Sequence, residues 1–216
     1  KRIISNEGLT ALFDAPPNTK FGLRDRVILI LLYDTAVRIS ELLNIRLGDI
    51  ALNTKYPSIF ITGKGNKERT IQLTDKATEH LKEYLRVYHK NQSPDNYLFS
   101  TTIKGHTDRM SVANVQRVIK KYSAIVRDSG IDLPKSVHCH MFRRTRATNL
   151  YQDGVAIELV STVLGHARTD TTKSYYAKPS VEQLRAAMES VPTPVESESP
   201  LWVGNVDEMA RMCGLR

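Results

Sequence analysis

A seven-residue apolar run, Val27-Ile-Leu-Ile-Leu-Leu-Tyr33, constrains this chain more than any other stretch. A run that long covers every side of a helix, so Leu23 to Thr35 reads as a helix buried in the core. It is far too short to span a bilayer. The segment Arg38-Ile-Ser-Glu-Leu-Leu-Asn-Ile-Arg-Leu47, apolar at Ile39, Leu42, Leu43, Ile45 and Leu47, is expected to form a second helix packed on the first. At 216 residues the chain suits one domain, or one domain with an appendage.

Other elements follow from local signals. Residues 1–20 read as a leading helix capped by Ser5 or Asn6 and ended by Ala15-Pro-Pro17. Ser58 to Ile61 and Arg69 to Leu73 alternate like strands, and Gly63, Gly65 and Asn66 between them suit a tight hairpin. Thr74 caps an amphipathic helix reaching Tyr88, and Tyr97 to Phe99 is expected as a short strand before a loop at 101–110. Ser111 caps a basic amphipathic helix to about Ser129, and helices are expected at His140 to Gln152 and Glu158 to Leu164. A short helix or turn at Thr169 to Tyr176 and a helix at Ser180 to Ser190 precede a Pro- and Ser-rich linker, Pro192 to Pro200. The fold class is therefore α+β, mostly helical, with a small antiparallel sheet of three strands at one edge.

Charge narrows the choice of partner. The chain carries net +8, and residues 101–150 alone hold ten Lys or Arg against three Asp, or +7. A basic surface so localised implies a polyanionic partner bound in a salt-sensitive way, although a solvated helix face would show the same count. Only Cys139 and Cys213 are present, too few for a disulfide framework, which makes a reducing cytosol the expectation.

Six residues then fall into a chemically coherent set: Arg38, Lys64, His140, Arg143, His166 and Tyr175. Arginine, lysine and histidine can neutralise a phosphate, and a tyrosine hydroxyl can attack one. His138 and His140, with His166, superficially suggest zinc, but no carboxylate or thiolate falls at matching ligand spacing. No cofactor and no metal is expected.

The segments Thr35-Ala-Val-Arg-Ile-Ser-Glu-Leu42, Gly63-Lys-Gly-Asn-Lys-Glu-Arg69, His140-Met-Phe-Arg143 and Leu164-Gly-His166, with Tyr175 nine residues on, resemble the motif series of tyrosine recombinases. That family comprises phage and transposon integrases and Xer-type recombinases, and the similarity covers roughly residues 1–190. It implies site-specific recombination of double-stranded DNA through a 3′-phosphotyrosine link, by four protomers on two sites, in a bacterial cytoplasm with no membrane association. The isolated domain is expected to be monomeric. A mobile-element integrase is the expected role. The resemblance also implies a catalytic domain over 1–191, a linker and tail over 192–216 that docks on a neighbouring protomer, and an N-terminal DNA-clamping domain not represented in this chain.

By the same resemblance, Arg38 and Arg143 hold the two non-bridging oxygens of the scissile phosphate. Lys64 protonates the leaving 5′-oxygen, His140 accepts the tyrosine proton or bonds the phosphate, His166 donates to a phosphate oxygen, and Tyr175 attacks. Tyr176 competes with Tyr175 for the last role, since neighbours on a helix point about 100° apart. Glu41 is expected to orient Arg38, which could otherwise be a surface arginine merely paired with it. Lys67, Arg69, Arg144, Arg146, Lys120 and Lys121 are expected to contact the DNA backbone. Cys139 stands where many relatives have proline and Arg144 where many have histidine, so the start of that helix is expected to differ. A type IB topoisomerase, a catalytically silent DNA-binding regulator and a metal-dependent nuclease are the alternatives.

Overall fold

The structure is a computed structural model that describes residues 3–63, 65, 67–90 and 92–165. Its elements in chain order are α1 (Asn6–Asp14), α2 (Lys20–Asp34), α3 (Ile39–Asn44), a 3-10 turn (Leu47–Asp49), β1 (Ile50–Ala51), β2 (Ser58–Thr62), β3 (Glu68–Gln72), α4 (Asp75–Tyr88), β4 (Ser100–Ile103), β5 (His106–Arg109), α5 (Val112–Asp128), α6 (Cys139–Gln152) and α7 (Ile157–Leu164). Helix α2 is central: it contacts α1, α3, α4, α5 and α6, and its residues Val27 to Leu32 are all buried. The apolar run is surrounded by other helices, as its composition requires.

Side-chain caps start four of the helices. Ser5, Thr19, Thr74 and Ser111 accept the backbone N–H of Gly8, Gly22, Ala77 and Asn114. Helix α4 spans the expected residues, and α1 ends at Asp14, just before Ala15-Pro-Pro17, with Lys20 already in α2. Helix α5 turns Val115, Val118, Ile119, Tyr122 and Val126 inward and leaves Lys120 and Lys121 exposed. Its buried Tyr122 hydroxyl donates to Asp25 at 3.0 Å, and Arg24 closes on the same carboxylate at 2.7 Å.

Three local expectations are corrected. The second helix ends at Asn44 rather than Leu47: Ile45 is not helical, its carbonyl accepts Leu98 N–H, and Arg46 stacks on Tyr97. Tyr97 to Phe99 is not a strand of the sheet; Tyr97 makes an isolated bridge to Arg46, while Leu98 and Phe99 fill the core. The third strand is instead β1, giving an antiparallel order β1-β2-β3. The loop expected at 101–110 contains a second antiparallel ribbon, β4-β5, turned by Lys104 (φ 51°) and Gly105 (φ 83°). Two successive positive φ values suit a hairpin turn of this hand. The ribbon is largely exposed, so it carries none of the apolar alternation that announces a half-buried strand. The elements expected at 169–176 and 180–190, with the linker and tail, lie outside the described residues.

Candidate active site

Glu41 is the point from which the site is built. It lies in the first turn of α3 and is 5% exposed, yet it keeps both oxygens occupied. Oε2 accepts the backbone N–H of Arg38 at 2.9 Å, fixing the start of the helix, and Oε1 accepts Arg38 Nη1 at 2.9 Å. From the neighbouring strand, Arg69 donates Nη2 to Oε2 at 2.8 Å and Nη1 to Oε1 at 3.5 Å. One carboxylate thus serves two guanidinium groups, which differ in exposure. The Arg38 side chain is 43% exposed and the Arg69 side chain 15%.

Burial pushes the Glu41 carboxyl up. Hydrogen bonds from Arg69 and from the Arg38 backbone, with the Arg69 charge, outweigh that and hold it below its ordinary value. The group is therefore an anion at neutral pH, and the centre of one carboxylate and two guanidinium groups carries a surplus positive charge.

Two glycines let this centre close. A Cβ on Gly63, at the mouth of the β2-β3 hairpin, would stand 3.1 Å from Glu41 Oε1 and 3.4 Å from Arg69 Nη1. At Gly165 it would lie 2.8 Å from Arg69 Cζ. Gly165 also ends α7 with φ 62°, a conformation that disfavours any side chain. The hairpin, the start of α3 and the end of α7 therefore meet at the Glu41–Arg69 pair.

Arg143 makes a second junction. It projects from α6, is 3% exposed, and donates Nη1 to the Ala36 carbonyl and Nη2 to the Leu164 carbonyl, both at 2.7 Å. Ala36 sits at φ 50° in the link between α2 and α3. Two N–H groups of one planar fork thus tie together segments 107 and 21 residues away in sequence. His140, three residues earlier on the same helix, is exposed, as is His138 just before the helix. Cys139 begins α6 as a buried residue, and desolvation pushes its thiol up.

The structure brings Arg38, Glu41, Arg69, Arg143 and Gly165 into one neighbourhood. Lys64, His166, Tyr175 and Tyr176 lie outside the described residues. Of the basic residues expected on the DNA backbone, Lys67, Lys120 and Lys121 are exposed. Arg69 faces Glu41, and Arg146 pairs with Asp34 at 3.6 Å while lying over the Tyr33 ring. Arg144 is half-buried. The inward turn of Arg69 was open to detection, because alternation along β3 puts it on the same face as buried Ile71. Ala36 carries no such signal. Among the described residues no three His, Cys, Asp or Glu stand together as metal ligands, and no helix is long and apolar enough to cross a membrane.

Comparison with known proteins places this geometry. A tyrosine recombinase from Pseudothermotoga lettingae is 38% identical over 152 residues, covering 70% of this chain and 49% of the relative. Tyrosine recombinase XerC from Staphylococcus carnosus is 37% identical over 182 residues, covering 83% and 57%. The chain thus spans about half the length of these relatives. The crystal structure of XerH site-specific recombinase bound to palindromic difH substrate, a post-cleavage complex, superposes with a TM-score of 0.68 at 26% identity, covering 87% of this chain and 52% of that one. The model of the phage integrase family matches residues 2–183. With its mostly helical architecture, small antiparallel sheet and arginine-centred junction, the chain belongs to the phage integrase family.

Proposed function

We propose that this chain is the catalytic domain of a site-specific recombinase that cuts and rejoins double-stranded DNA through a tyrosine. The observation that carries the reading is the junction at Arg143, which draws the Arg38, Arg143 and Gly165 segments together from across the sequence. A cationic pocket assembled on rigid backbone suits a phosphate whose charge grows during reaction.

In this mechanism Tyr175 Oη attacks the scissile phosphorus, forming a P–O bond to the tyrosine while the bond to the 5′-oxygen breaks. His140 takes the tyrosine proton, and Lys64 gives one to the departing 5′-oxygen. Arg38 and Arg143 hold the non-bridging oxygens, joined by His166 as the pentacoordinate state forms. The 5′-hydroxyl of a partner strand then attacks the phosphotyrosine, so bond energy is conserved without nucleotide hydrolysis. Exposed Lys67, Lys120 and Lys121 suit backbone contacts outside the reacting centre. The catalytic domain extends to residue 191, with the tail after Pro192 docking on a neighbour in a four-protomer assembly, and the role is that of a mobile-element integrase.

An SDS-resistant protein–DNA adduct on a nicked duplex carrying the ends of the encoding element tests this directly. The adduct is expected from wild type and from Tyr176→Phe, and lost in Tyr175→Phe, with peptide mapping to Tyr175. Loss in Tyr176→Phe alone would move the nucleophile by one residue. Salt-sensitive binding with no adduct would overturn the catalytic reading. Transfer to a second duplex separates recombination from topoisomerase action within one.

A further inference from the structure

Arg69 is turned inward from the β2-β3 hairpin and holds the same carboxylate that holds Arg38. We infer that Arg69 is a positioning residue: its guanidinium holds Glu41 for Arg38 and braces the β2-β3 hairpin against the Gly165 turn. This rests on the strand-cleavage reading above and deepens it.

Geometry commits the Arg69 fork to Glu41. Its two terminal nitrogens face the two oxygens of Glu41, at 2.8 and 3.5 Å, and its side chain is 15% exposed. Among the described residues its buried Nε has no hydrogen-bond partner, and a Cβ on Gly165 would stand 2.8 Å from its Cζ and 3.0 Å from its Nε. The β3 backbone points it inward, sharing a face with Ile71 and paired in register with Ile61. Exposed Lys67, two residues earlier, has none of these features.

Electrostatics supplies the reason for the pairing. If Arg38 turns to a phosphate, Glu41 loses one partner, and an uncompensated carboxylate would repel the same phosphate. Arg69 keeps that charge neutralised while Arg38 is engaged. Its position matters for the neighbours too, because Lys64 follows Gly63 and His166 follows Gly165 in sequence. Loss of the brace would loosen the spacing of groups that must meet one phosphate together.

The test compares Arg69→Met, Arg69→Lys and Lys67→Met with wild type in the full chain. DNA affinity across a salt series and the rate of adduct formation at saturating DNA are measured for each, below its unfolding temperature. For Arg69→Met the affinity and salt slope should match wild type while the saturated rate falls about 10–100-fold, the size typical of lost supporting contacts. Arg69→Lys keeps the charge without the fork, so its rate should be intermediate; it also serves if Arg69→Met does not fold. Lys67→Met, by contrast, should lower the salt slope by about one. A slope change and intact rate in Arg69→Met would make Arg69 a phosphate contact and overturn the inference. So would Arg69→Met behaving as wild type in both measures. Absence of any adduct from wild type would overturn the strand-cleavage reading itself, and this inference with it.

Discussion

Two acids in this protein are equally buried and do different things. Asp25 and Glu41 are each 5% exposed, and each is held by arginine. Around Asp25 the partners are Arg24 and the buried Tyr122 hydroxyl, a closed arrangement that ties α2 to α5. Around Glu41 one partner faces inward and the other, Arg38, is 43% exposed. Burial alone does not mark a functional carboxylate. What distinguishes Glu41 is that one of its hydrogen bonds ends on a group open to solvent.

The sharpest way to break this comparison is to neutralise both acids. Glu41→Gln leaves two guanidinium groups facing each other, so it should cost about 3 kcal/mol of stability and reduce adduct formation at least about 100-fold. Asp25→Asn should cost about 1–3 kcal/mol, mainly from the Tyr122 hydroxyl and Arg24, while the folded protein cleaves at the wild-type rate. Denaturant melts and adduct assays on the same samples check both. Equal losses of activity would erase the distinction.

Next in size is the wall of the Glu41 centre. Gly165→Ala adds backbone strain at φ 62° and puts a methyl 2.8 Å from Arg69 Cζ. It should lose about 1–3 kcal/mol, together with most of the cleavage rate. Gly105→Ala has a comparable φ of 83° but open space around it. Its cost should be limited to about 1 kcal/mol from the backbone, with cleavage unchanged. If Gly165→Ala cleaves normally, the Arg69 contact has no bearing on the site.

Acid titration gives a smaller effect. Because the folded state holds Glu41 below its ordinary value, its contribution is complete above about pH 4.3, the unfolded value. It is lost as pH falls through the folded value. Over that window the unfolding free energy of wild type should fall more steeply with decreasing pH than that of Glu41→Gln. Parallel curves would show that the pair does not stabilise the fold. Smallest of all, Ile103→Ala on the β4-β5 ribbon, 68% exposed, should lie within about 0.5 kcal/mol of wild type in a denaturant melt.

The elements that were legible are those whose cause is local. Thr74 to Tyr88 and Ser111 to Asp128 each carry a capping hydroxyl and a helical apolar stripe within the segment itself. The β4-β5 ribbon is not legible, because a strand exposed on both faces has no alternation to read. The helix after Arg38 is shorter than its apolar pattern suggests, because the Ile45 carbonyl accepts Leu98 N–H from more than fifty residues away. Around Glu41 the sequence marks Arg38, Glu41 and Arg143 as candidates, but not the backbone carbonyls that Arg143 meets. Arg69 appeared as one basic residue in a basic turn, and only the strand's inward face and the nearby acid give it another meaning.

From the sequence alone came the buried central helix, the capped helices, the basic segment and the series of motifs that marks the family. Each follows from composition, period or short-range chemistry, which a chain carries wherever its segments end up. The tertiary structure decided that Arg143 binds the backbone at Ala36 and Leu164, that one carboxylate is shared by Arg38 and Arg69, and that Gly63 and Gly165 stand where a methyl group would press on that pair. Those facts depend on distances between segments far apart in sequence. Such distances are set by packing around α2, which is a property of the whole fold.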